Sequence, residues 1–103
     1  MTYQYGLAAL ADPTRRAIYE SLRFGAKPVG EIAEGFPVSR PAVSQHLRVL
    51  KDAGLVTETR RGTRHLFALN PVAASKLRDY FQSMWECALR NFAEHVANEE
   101  QRR

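Results

Sequence analysis

Between positions 39 and 64 the chain collects side chains suited to gripping a polyanion: Ser39, Arg40, Ser44, Gln45, His46, Arg48 and Lys51 in one stretch, then Arg60, Arg61 and Arg64. Guanidinium and ammonium groups donate to phosphate oxygens. Glutamine can pair bidentately with an adenine edge, and arginine with a guanine edge. This is the chemistry of recognition, not of bond making. No carboxylates are paired for acid–base work, no nucleophile has a suitably placed base, and no glycine-rich loop or metal cluster is legible; Ser44 and His46 stand too near each other to suggest a hydrolase. The expectation is a protein that is not an enzyme, with no cofactor.

Charge sharpens this reading. From Ser39 to His65 six basic side chains stand against two acidic ones, Asp52 and Glu58, an excess of +4, which is also the net charge of the whole chain. The remainder is therefore neutral, and the positive excess is concentrated in one stretch, as a phosphate-contacting surface requires.

Local signals say how that stretch is built. Ser39 can cap a helix, Pro41 falls in its first turn, and Val43, Leu47 and Leu50 recur at spacings of four and three to form an apolar stripe, leaving Arg40, Ser44, Gln45, Arg48 and Lys51 elsewhere on the surface. Gly54 closes this helix. Leu55 to Arg60 and Thr63 to Leu69 then read as two strands joined through Arg61-Gly62, a basic hairpin. Upstream, Val29 to Glu34 reads as a short helix broken by Gly35-Phe36-Pro37. Ala33 is small where two helices must cross, and Val38 plugs the joint, so residues 29–53 form a helix-turn-helix. Tyr3 to Leu10 makes a first short helix. Asp12-Pro13 starts a second, with Ala17, Ile18, Ser21 and Leu22 on one face until Gly25, and Arg15 and Arg16 in its first turn are read as solvated more readily than as phosphate contacts.

After Asn70-Pro71 a last helix is expected over about 71–97, with Leu77, Tyr80, Phe81, Met84, Trp85, Ala88, Leu89, Phe92 and Val96 at steps of three and four, and a polar, frayed tail from Ala97. Such a stripe exceeds what the short preceding helices can cover. Pairing with a second copy would bury it; an intramolecular core helix is the alternative.

The bulk properties fit one soluble domain spanning residues 1–103: 45% hydrophobic and 25% charged. A single cysteine, Cys87, excludes an internal disulfide framework and suits a reducing cytoplasm. No charged leader with an apolar core and no membrane-spanning apolar run is evident, so neither export nor membrane insertion is expected.

Leu10-Ala11-Asp12-Pro13-Thr14-Arg15-Arg16-Ala17-Ile18, Val29-Gly30-Glu31-Ile32-Ala33, Val38 to Leu47, Ala53-Gly54-Leu55-Val56 and the aromatic helix around Trp85 together resemble the ArsR/SmtB family of winged-helix transcriptional regulators, over about residues 7–96. The resemblance implies a mainly α winged helix-turn-helix with a β-hairpin wing over about 55–69, acting on a partly palindromic DNA operator, usually as a repressor. It also implies a homodimer joined through the first and last helices, here Tyr3 and Leu7 with Leu77, Tyr80, Phe81, Met84, Trp85, Ala88, Leu89 and Phe92. Arg40, Ser44, Gln45 and His46 are the expected base readers, with His46 open between facing DNA and tucking against the wing. Ser39, Arg48, Lys51, Arg60, Arg61 and Arg64 are the expected phosphate contacts, with Pro41 in the same helical turn. The metal-sensing branch carries a Cys-x-Cys motif where this chain has Val29-Gly30-Glu31-Ile32-Ala33-Glu34, and the last helix offers Cys87 and His95 among mostly apolar or unmatched residues, so no metal is expected and a small-molecule effector is left unidentified. Two other functions remain open: a winged-helix module for protein contacts, and a redox-responsive regulator using Cys87.

Overall fold

In the computed structural model, which describes residues 2–102 and side chains from Gly6 onward, the chain runs α1 (Thr2–Ala9), α2 (Pro13–Ser21), a 3-10 turn (Leu22–Phe24), β1 (Lys27–Pro28), α3 (Val29–Glu34), α4 (Arg40–Asp52), β2 (Val56–Arg61), β3 (Arg64–Leu69) and α5 (Pro71–Gln101). Three helices start on the expected device, a short polar cap with proline in the first turn. Asp12 Oδ1 accepts the Arg15 N–H at 3.0 Å, Ser39 Oγ that of Ala42 at 3.3 Å, and Asn70 Oδ1 that of Val72 at 3.1 Å. Each cap satisfies an N–H that the helix itself cannot reach.

Asn70 does more than cap. Its side-chain amide donates to the Gly54 carbonyl at 2.9 Å, and its backbone N–H donates to Leu55 O at 2.9 Å. The end of α4, the entry to the hairpin and the start of α5 are thereby tied at one point.

Ile18, Leu22, Ile32, Val43, Leu47, Leu50, Leu55, Val56 and Phe67 form the core, joined by Ala9 and Ala73. The stripe Val43, Leu47, Leu50 is its centre, each residue 0% exposed. α4 is therefore seated along its whole length, and whatever lies on its opposite face is held at a fixed height above the core.

The hairpin pairs Arg61 with Arg64 and Glu58 with Phe67, so its loop is Gly62-Thr63, one residue later than the sequence suggests. Gly62 has φ +63°, and no non-glycine residue among those described has positive φ. Positive φ at only the first of two loop residues is the type II′ pattern, whose twist suits a hairpin.

Two other features differ from expectation. β1 has no counterpart in the sequence pattern: Lys27 and Pro28 pair antiparallel with Phe67 and Leu66, giving the strand order β1-β3-β2. Two residues have no periodicity to read, and a proline is tolerated in a sheet only at an edge such as this. α5 also continues as helix through Ala97 to Gln101, where the sequence predicts a frayed tail.

α5 spans 31 residues, roughly 46 Å at helical rise. Only its base packs: Ala73 is buried and Leu77 half-buried against the core, while every residue from Phe81 to Arg102 is exposed. The radius of gyration is 18.8 Å, against about 13 Å for a compact chain of this length. The projecting helix accounts for the difference. No described helix is long and apolar enough to cross a membrane.

Candidate nucleic-acid interface

With Val43, Leu47 and Leu50 buried, the opposite side of α4 exposes Arg40, Pro41, Ser44, Gln45, Arg48 and Lys51, and Ser39 is exposed just before it. Arg40, Ser44, Arg48 and Lys51 line a groove of about 720 Å³ whose far wall is the hairpin tip, Thr63, Arg64 and His65. Arg60 and Arg61 are exposed on β2 beside the groove, and Gln45 and Pro41 lie on the outer flank of α4. The fold thus brings Arg40, Arg48, Lys51 and Arg64 to two walls of one channel and leaves Arg60 and Arg61 outside its lining.

Arg40 is held at the third side. A methyl group added to Gly30 would stand 3.6 Å from Arg40 Cζ, so the guanidinium lies across the backbone of α3. The absence of a side chain at Gly30 leaves room for it.

His46 is placed differently from the other candidate readers. It is half-buried, its Nδ1 is buried with no hydrogen-bond partner among the described residues, and it stands near Asp12, so it faces the start of α2 and not the exposed side of α4. At 100° per residue, position 46 falls on the border of the buried stripe, which explains the difference. Asp12 is held below its ordinary carboxylate range first by the Arg15 backbone N–H, with His46 adding to the effect.

Sequence patterns do not single out Glu58 and His65, which meet Lys51 in the groove. Glu58 Oε1 accepts from Lys51 Nζ at 2.9 Å, and Oε2 accepts from His65 Nδ1 at 2.7 Å. An ionised carboxylate only accepts, so the imidazole proton sits on Nδ1. The Lys51 bond, followed by that of His65, holds the Glu58 carboxyl below its ordinary value. Strand register carries a usable signal: Glu58 pairs with Phe67 and His65 is two residues from it, so all three share one face of the hairpin.

Among the candidate interface residues, Leu7 and Tyr80 are half-buried, Leu77 packs on the core, and Phe81, Met84, Trp85, Ala88, Leu89 and Phe92 are exposed, Phe81 at 56%, Trp85 at 60% and Phe92 at 65%. Tyr3 lies outside the residues whose side chains are described. Cys87 is exposed on the far side of α5 from Trp85 and Phe92, not among core-like neighbours, and Asn91 Nδ2 lies 4.0 Å from its Sγ. Among the described residues no three His, Cys, Asp or Glu side chains form a group able to hold a metal ion.

A family model described as a helix-turn-helix domain matches residues 10–59. The HTH-type transcriptional regulator Rv2034 of Mycobacterium tuberculosis is 50% identical over 91 residues, covering 88% of this chain and 85% of that protein. The transcriptional repressor SdpR of Bacillus subtilis is 42% identical over 62 residues, covering 60% of this chain and 69% of that protein. The solution structure of a homodimeric winged helix-turn-helix DNA-binding domain from Mycobacterium bovis, a possible ArsR-family transcriptional regulator, superposes with a TM-score of 0.68 at 27% identity, covering 82% of this chain and 79% of that one. Sequence, hairpin and long last helix agree, and the chain belongs to the ArsR/SmtB family of winged helix-turn-helix transcriptional regulators, which are not enzymes.

Proposed function

We propose that the chain works as a homodimeric repressor that sets two copies of α4 into successive major grooves of a partly palindromic DNA operator. One observation carries this: a helix with one face wholly in the core displays Arg40, Ser44, Gln45, Arg48 and Lys51 on the other, opposite a basic hairpin. Gln45, on the outer flank, suits an adenine edge, and Arg40 suits guanine or phosphate. Ser39, Arg48, Lys51, Arg60, Arg61 and Arg64 supply phosphate contacts that fix register and affinity. Half-buried His46 sets the seat of α4 and reads no base.

The exposed stripe of α5, with α1 beside its base, joins the two copies, as the homodimeric structural relative supports. Occupying a promoter in the cytoplasm excludes polymerase, and an effector releases the DNA by binding the DNA-incompetent form better. A metal read through paired thiolates is not part of this reading: α3 has no cysteine, and Cys87 is the single thiol of the chain.

The test is selection of bound fragments from sheared DNA of the source genome. Enrichment of an inverted repeat with half-sites about one helical turn apart, or a multiple of it, is expected. Failure to enrich any duplex, with capture of an acidic protein by the same groove, would overturn the reading.

A further inference from the structure

An acidic side chain inside a groove built of arginine and lysine works against phosphate binding, yet Glu58 sits there, its side chain only 24% exposed and both its oxygens engaged. Its partners belong to different elements: Lys51 is in the last turn of α4, and His65 is the second residue of β3, beside the hairpin tip. Ion pairs reached by solvent add only modest stability, so stability alone does not account for this arrangement. Its geometric effect is direct. The carboxylate bridges α4 to the hairpin at a point three residues before the strand ends, fixing the spacing of the two walls of the groove.

We propose that Glu58 is a positioning and selectivity residue for DNA: it locks the wing to the recognition helix and holds the Lys51 charge back from phosphate until α4 is seated in its groove. Resting on the reading of this groove as a DNA site, the proposal makes the carboxylate a brake on sequence-independent attraction. With Lys51 paired to Glu58 in the free protein, a duplex of any sequence meets one fewer unpaired cation in this groove wall. The wing, held in one place, can meet the backbone only when α4 is seated at the right depth in its groove. His65 contributes to the same lock, because its Nδ1–H is committed to Glu58, leaving Nε2 on the side away from the carboxylate.

The experiment compares Glu58→Gln with Asp52→Asn in the full chain. Asp52 is an exposed carboxylate lining the same groove, so its change reports the removal of negative charge alone. The probes are the duplex selected from genomic DNA and a scrambled duplex of equal length and composition. Glu58→Gln is expected to strengthen binding to the scrambled duplex and steepen its salt dependence by about 0.9 per lysine released. It is also expected to lower the ratio of selected to scrambled affinity about fivefold, the scale of one mismatched base pair. Amide exchange over residues 59–66 should quicken without DNA present. Asp52→Asn should strengthen both duplexes alike and leave wing exchange unchanged. If Glu58→Gln matches Asp52→Asn in affinity ratio and in wing exchange, the lock is refuted. If the unaltered protein prefers no duplex, the DNA reading falls and the selectivity role with it, and unchanged wing exchange in Glu58→Gln would then dispose of the lock as well.

Discussion

Gln45 and Arg61 are both exposed donors, but their chemistry divides the work between them. A carboxamide can match the donor and acceptor edge of one base, whereas a guanidinium at the hairpin end meets the same phosphates on any sequence. Gln45→Ala should therefore change which operator variants are preferred. Arg61→Ala should weaken all duplexes similarly, reducing the salt slope by about 0.9 for each phosphate no longer neutralised, and by twice that for a dimer. Affinities on a panel of single-base operator variants at several salt concentrations check both, and equal weakening by the two changes on every duplex would contradict the division.

Glu58 adds a pH dependence with a definite sign. Its carboxyl is held below its ordinary value of 4.5 by Lys51 and His65, so the folded state favours the ionised form. The resulting stabilisation is present above the ordinary value and disappears as pH falls through the lowered one. Thermal melts should thus show the unaltered protein ahead of Glu58→Gln at neutral pH, with the gap closing below pH 4.5.

The basic site residues are legible in the sequence because charge and helical spacing both mark them. Glu58 and His65 share a face only once the strand register is known, and the Lys51–Glu58 contact depends on how the hairpin docks on α4, a tertiary relation no local pattern encodes. His46 stays open in the sequence because it stands at the edge of the apolar stripe, where helical spacing does not decide its side.

At the scale of elements, α4 is only as well placed as its buried stripe. Leu47 is fully buried between α4 and the rest of the core, and Leu47→Ala should cost about 2–5 kcal/mol, measured by denaturant unfolding. Caps, prolines and terminating glycines make the helices legible: Asp12-Pro13, Ser39 with Pro41, Asn70-Pro71, Gly25 and Gly54 each punctuate the chain where the structure does. β1 is hidden because a two-residue edge strand owes its existence to β3. The extension of α5 to Gln101 is hidden because a polar segment lacks an apolar stripe, yet Glu, Gln, Asn and Arg continue a helix once its earlier turns have nucleated it.

For the whole molecule, the 69 Å long axis reflects a helix whose outer two-thirds is exposed throughout. Exposing Phe81, Trp85, Leu89 and Phe92 together is unfavourable in water, and a second copy of the same helix can cover them symmetrically. The unfolding midpoint should accordingly rise with protein concentration. The double variant Trp85→Glu, Phe92→Glu should sediment as a monomer and bind the operator about 10²-fold or more weakly, because the two half-sites are no longer linked.

The most direct measurement titrates the selected duplex against its scrambled counterpart at 50 mM and 200 mM salt (roughly the range over which multi-phosphate binders respond strongly), following stoichiometry by sedimentation. Two chains per inverted repeat are predicted, with steeply weaker binding of both duplexes at the higher salt and a preference for the repeat that survives it. Equal affinity for the two duplexes, or binding indifferent to salt, would contradict a basic groove that reads DNA.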